Sequence, residues 1–148
     1  MDPARKKRYK EKLDKLDRYY SLLKEWLEGN KIDVLVKENK TMELFATYHS
    51  GQLVIEVITD LVAMIVKDTG SLVKGDYENF DILLEKKIIS GTIHKDLKEL
   101  NGLRNRLVHG YNGIVDQTAW TSLTSATGKI QSAREVIEKW LNSQSSSK

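Results

Sequence analysis

Apolar residues recur along much of this chain at alternating steps of three and four, the period of helices that bury one face. Tyr9, Leu13, Leu16, Tyr20, Leu23 and Leu27 form the first such series. Asp2-Pro3 ahead of it supplies a capping side chain and a proline suited to a first turn, and Gly29-Asn30 supplies a stop. Ile32 to Val36 reads as a helical turn or connector. A long helix is predicted from about Thr41 to Lys67. Its second half, VIEVITDLVAMIV, is rich in β-branched residues and resembles a strand locally. Glu56 and Asp60 decide for helix, because a spacing of four puts both on one helical face. Apart from that face the segment is apolar almost all round, which predicts a central place in a bundle or a subunit interface.

Thr69-Gly70 ends that helix. Tyr77 to Lys86 predicts a shorter one, and Ile93 to about Tyr111 another. The loop NGIVD follows, with Asp116 as the expected cap of a last helix carrying Leu123, Ala126, Ile130, Ala133, Ile137 and Trp140. No internal repeat or domain linker interrupts the pattern. The expected architecture is all-α: an up-and-down bundle of four to five helices, with residues 1–142 as one domain and 143–148 as a disordered Ser-rich tail.

Composition narrows this further. The 148 residues include one proline, nine glycines and no cysteine. Disulfides, thiolate metal sites and cysteine nucleophiles are therefore excluded, and a cytoplasmic protein is expected. The basic start leads into charged helix rather than an apolar signal region. The apolar stretch Leu53 to Val66, broken by Glu56 and Asp60, is too short and too polar to span a bilayer, so no membrane partner is expected. The net charge of +3 permits an anionic partner without requiring one. Much of the excess lies in ARKKRYKEK, which reads as a solvated first turn or frayed arm, or else as an arm that contacts phosphates.

The chemically unusual segment is LRNRLVHGY, residues 103–111. On a wheel of about 100° per residue, Ile93, Leu97, Leu100, Leu103 and Leu107 share one arc. Arg104 falls inside that arc and Arg106 on the opposite side. Asn105 and His109, four apart, are neighbours along one flank. Arg106 is a solvated surface charge. Arg104 cannot be buried alone, so it must pair with a carboxylate, reach a cleft or face a second subunit. The simplest structural account is a salt bridge to Glu56 or Asp60. His49 and His94 read as hydrogen-bonded or exposed groups without further role. His109 stands out through its company: an imidazole that titrates near neutrality beside a fixed guanidinium can cleave RNA without a metal. The 2′-hydroxyl is already in the substrate, and the protein need supply only a base, an acid and a cation. One such set holds one histidine, whereas base and acid require two groups. A two-fold homodimer would supply the second.

Arg104, the four residues after it, His109, Gly110 and Tyr111 resemble the RX4HXY motif of the HEPN superfamily, and of its HepT-like branch in particular. IEVITDLVAMIV, DYENFDILLEKKIIS and LNGLRNRLVHGYNGIV extend the resemblance over roughly Met42 to Leu123. It implies an all-helical, dimeric ribonuclease toxin that needs no metal or other cofactor, encoded beside a minimal nucleotidyltransferase antitoxin of the MntA type. That partner would neutralise the toxin by moving AMP from ATP onto Tyr111. The resemblance further implies that Arg104 binds the scissile phosphate, His109 transfers protons, Asn105 orients His109 or the phosphate, and Tyr111 also contacts substrate. The alternative is a non-catalytic subunit that binds a nucleotide or presents Tyr111 to its partner. A plain helical dimer with Arg104 in a structural ion pair is the third reading. The lysine-rich first helix and the serine tail lie outside the resemblance.

Overall fold

The computed structural model describes residues 1–109 and 116–144. Within them the chain forms α1 (Pro3–Gly29), α2 (Ile32–Lys37), α3 (Thr41–Asp68), α4 (Asp76–Glu85), α5 (Gly91–His109) and α6 (Asp116–Ser143), with no strand among the described residues. The described residues hold six helices, counting as a helix the short Ile32–Lys37, which the sequence offered as a helical turn or connector and which buries Leu35. Tyr111, and residues 145–148 of the serine tail, lie outside the described residues.

The local signals act as their chemistry requires. The Asp2 side chain accepts from the Ala4 amide and Pro3 opens α1. At the start of α5 the Ser90 hydroxyl accepts from the Ile93 amide, so this helix begins at Gly91, two residues before the apolar series.

Four long helices alternate in direction. Arg5 meets Asp68 and Lys12 meets Asp60, which sets α1 antiparallel to α3. Arg104 meets Glu56 while a methyl of Leu107 lies against Gly51, so α5 also runs antiparallel to α3. Lys129 meets Glu99 while Leu123 and Leu107 both lie at Gly51, and Arg134 meets Asp17 while Tyr20 binds Thr127, which sets α6 antiparallel to both α5 and α1. The short helix α4 caps the passage from α3 to α5, packing on both.

The centre belongs to α3, which touches each of the other five helices. From Val54 to Val66 only Glu56, Thr59, Asp60 and Ala63 are not buried, which accounts for a pattern that is apolar except on the acidic face. The whole helix has 28 residues and is long and apolar enough to cross a membrane by length and composition, unlike the shorter Leu53–Val66 stretch. In this fold its apolar surface is instead the core of the bundle.

The amino terminus is not a frayed arm. Asp68 accepts from Arg5 Nε at 2.8 Å and from the Tyr9 hydroxyl at 2.6 Å. Tyr9 is fully buried beside Trp140, their ring centroids 5.6 Å apart. Burial first, and the bond to Asp68 second, push the Tyr9 phenol well above its ordinary range. Lys7, Arg8 and Lys10 remain exposed, as a solvated first turn would have them.

Candidate active site at the α3–α5 groove

On α5 the leucines at 97, 100, 103 and 107 are buried against the bundle. Arg104 lies at the margin of that face and reaches across to α3. Its Nη2 and Nε donate to Glu56 Oε1 at 3.1 and 3.3 Å. Its Nη1 donates to Asn105 Oδ1 at 3.1 Å. Glu56 Oε1 accepts a further bond from Gln52 Nε2, also at 3.1 Å. Asp60, the other carboxylate expected to be available, faces α1 and takes Lys12 at 3.3 Å. The antiparallel register makes that choice. Arg104 stands level with Glu56, and Asp60 is one turn further along α3.

The resulting cluster is neither buried nor free. The side chains of Arg104 and Glu56 are 30% and 32% exposed. Ion pairs this wet contribute about 0–1 kcal/mol. A phosphate oxygen arriving in the groove offers the guanidinium charge-assisted bonds of comparable or greater strength. Arg104 is therefore oriented by Glu56 without being consumed by it, and Glu56 is itself braced by Gln52.

Asn105 and His109 follow on the same flank of α5, one turn apart. Asn105 is partly buried and engaged with Arg104. His109 is exposed and is the last described residue of α5. Arg106 is exposed on the other side of the helix, as its wheel position requires. His94 is held by Asp81, at 2.7 Å from Nε2. His49 is exposed on α3. Tyr111 falls outside the described residues, so its relation to the groove rests on its place two residues beyond His109.

Two contributors were not singled out from sequence. Gln52 braces Glu56, and its spacing of four from that residue was the available signal. Tyr48 is buried and donates its hydroxyl to Asp116 Oδ1 at 2.6 Å, tying the start of α6 to α3 beside the groove. A buried phenol needs a partner for its hydroxyl, but the sequence does not say which.

The chain has relatives among known proteins. The family model described as "Ribonuclease HepT-like" matches residues 16–137. Two proteins of Archaeoglobus fulgidus, each bearing the name "Putative RNase", are similar. One is 35% identical over 102 residues, 66% of this chain and 77% of the relative. The other is 34% identical over 110 residues, 74% of this chain and 76% of the relative. Among solved structures, a tri-AMPylated Shewanella oneidensis HEPN toxin in complex with its MNT antitoxin superposes with a TM-score of 0.75 at 18% identity. That match covers 94% of this chain and 99% of the toxin and speaks for the shared fold. The match over residues 16–137 spans Glu56, Arg104, Asn105 and His109, and the chain belongs to the ribonuclease HepT-like family.

Proposed function

We propose that the chain is a metal-independent endoribonuclease of toxin type, active as a two-fold homodimer and silenced by adenylylation of Tyr111 by a partner nucleotidyltransferase. The observation that carries this reading is the half-exposed Arg104, aimed by Glu56 and joined to Asn105, with His109 one turn onward on the same helix. Family membership and the HEPN toxin fold support it.

In this reading Arg104 takes the non-bridging oxygens of the scissile phosphate and opposes the charge that grows on them during attack. His109 withdraws the proton of the 2′-hydroxyl. The new bond joins O2′ to phosphorus and the bond to O5′ breaks; the homodimer's second copy of the histidine, as an imidazolium, gives O5′ its proton, so one product ends in a 2′,3′-cyclic phosphate and the other in a 5′-hydroxyl. Asn105 holds the guanidinium in place by accepting its Nη1 proton. DNA lacks the attacking hydroxyl and is inert. Esterifying Tyr111 with AMP adds bulk and negative charge close in sequence to His109, which repels an RNA phosphate.

Cleavage of an RNA pool in EDTA by the wild type and by His109→Ala tests the chemistry. Wild-type cleavage that vanishes in the variant is expected. Undiminished cleavage by the variant removes His109 from the mechanism, and no cleavage by either protein favours the non-catalytic partner subunit. Mass spectrometry of the chain co-expressed with a nucleotidyltransferase that modifies it should find AMP on Tyr111; label on another residue refutes the switch.

A further inference from the structure

A second groove lies between α1 and α3, one turn along α3 from the Arg104–Glu56 pair. Arg5, Arg8 and Lys12 line it from α1, and Asp60 and Lys67 line it from α3. We propose that this groove is a phosphate subsite that grips the RNA strand beyond the scissile position, with Arg8 and Lys67 as its working cations; the identity of the ligand rests on the ribonuclease reading above.

The two helices build the groove from their own periods. Arg5, Arg8 and Lys12 recur at steps of three and four, on one side of α1. The antiparallel register ties the first to Asp68 and the last to Asp60, which leaves Arg8 between them on the same wall. The lysine-rich start of the chain is thus divided. Lys7 and Lys10 point to solvent away from this groove, whereas Arg8 is exposed within it. On α3, Glu56, Asp60, Ala63 and Lys67 recur at steps of four, three and four, so one stripe begins at the partner of Arg104 and ends at Lys67. At about 1.5 Å per residue that stripe is roughly 16 Å long, a span that a single strand covers in a few nucleotides.

The charges in the groove are out of balance. Four cations line it against one carboxylate, and Asp60 is already met by Lys12 at 3.3 Å. Arg5 is committed to the fold: it donates to Asp68 at 2.8 Å, and its guanidinium lies 5.5 Å from the centre of the Tyr9 ring. Arg8 and Lys67 are exposed, and no ion pair or side-chain hydrogen bond engages either among the described residues. They stand on opposite walls and repel one another, and a phosphate between them replaces that repulsion with two charge-assisted contacts. A second copy of the chain is a poor occupant, since the same face turned on itself opposes cations with cations. The rest of the lining is apolar and holds no aromatic ring on which a base could stack. The groove therefore reads the backbone, adding affinity without sequence preference.

Salt dependence of binding tests this apart from cleavage. Fluorescence anisotropy is measured over a series of salt concentrations with a single-stranded RNA oligonucleotide that carries 2′-O-methyl groups throughout and so cannot be cut. Loss of two phosphate contacts in Arg8→Gln/Lys67→Gln should lower the steepness of log Kd against log salt by about 1.4. Lys7→Gln/Lys10→Gln removes the same charge from the outer side of α1 and should keep the wild-type slope. An unchanged slope in the groove variant, or an equal fall in the outer one, overturns the inference and leaves the ribonuclease reading intact. A wild type that does not bind the oligonucleotide also overturns it. The expected difference in slope from a wild type that cuts no RNA keeps the groove and removes the ribonuclease reading. The competing occupant is an acidic surface of the partner nucleotidyltransferase. If the groove variant binds RNA as the wild type does but no longer co-purifies with that partner, the groove belongs to the protein and the inference is wrong.

Discussion

Arg104 and Arg134 are the same side chain at nearly the same exposure, 30% and 27%, each reaching from a late helix to a carboxylate on an earlier one. Their coordination differs. Arg134 forks onto both oxygens of Asp17, at 2.6 and 2.9 Å, and also binds Glu138 one turn along its own helix. The bonds to Asp17 first, and to Glu138 next, push its pKa above the already high guanidinium range against the opposing effect of burial. Arg104 touches a single oxygen of Glu56 at 3.1 to 3.3 Å, shares it with Gln52, and spends its remaining bond on a neutral amide. Arg134 is a saturated staple between α1 and α6. Arg104 is aimed but under-coordinated, which is the state a phosphate-binding cation needs before substrate arrives. Residue type and exposure do not distinguish these two arginines; the number and charge of their acceptors do.

The sharpest way to break this contrast is to remove each guanidinium in turn. Arg104→Ala should lower RNA cleavage by about 10²–10³-fold with the thermal midpoint nearly unchanged. Arg134→Ala should do the reverse: wild-type cleavage, with stability reduced by about 1–2 kcal/mol once solvent screening is allowed for. In a chain of this size that is a fall of roughly 2–8 °C in Tm. A loss of cleavage in Arg134→Ala, measured on folded protein, would erase the distinction.

A comparable stability effect is expected at the start of α1. Tyr9→Phe removes the hydroxyl that Asp68 accepts and should cost about 1.5 kcal/mol in denaturant unfolding. It should also change the alkaline limb. The Tyr9 phenol is raised in the fold, so its contribution is complete below the unfolded value of about 10 and is lost as pH climbs through the higher folded value. The variant should lack that decline.

The smallest effect belongs to Glu99, whose carboxyl is lowered chiefly by its hydrogen bond to Lys129 at 2.5 Å. Its contribution is present above the unfolded pKa of about 4.3 and is lost as pH falls through the lower folded value. Glu99→Gln should flatten that small acid limb, and added salt should do the same to the wild type.

The helices were legible because burial of one face writes its period into the chain. The Glu56–Asp60 spacing was enough to read VIEVITDLVAMIV as helix despite its β-branched residues, and the oddity of Arg104 among leucines was enough to demand a partner. Other features needed contacts from far along the chain. The start of α1 looked loose until Asp68, 59 residues beyond Tyr9, held Tyr9 and Arg5. The short α2 lacks the length for a period to show, and the early start of α5 depends on one serine hydroxyl. Which carboxylate takes Arg104 could not be read from spacing, since Glu56 and Asp60 share a face.

Helical class, the core positions and the Arg-to-His spacing were determined by the amino-acid order alone, because each depends on residues within a turn or two of one another. The pairing of Arg104 with Glu56 and the diversion of Asp60 to Lys12 were decided only when helices packed. Register between two helices is set by the fit of their whole faces, a property of the three-dimensional assembly that no local spacing contains.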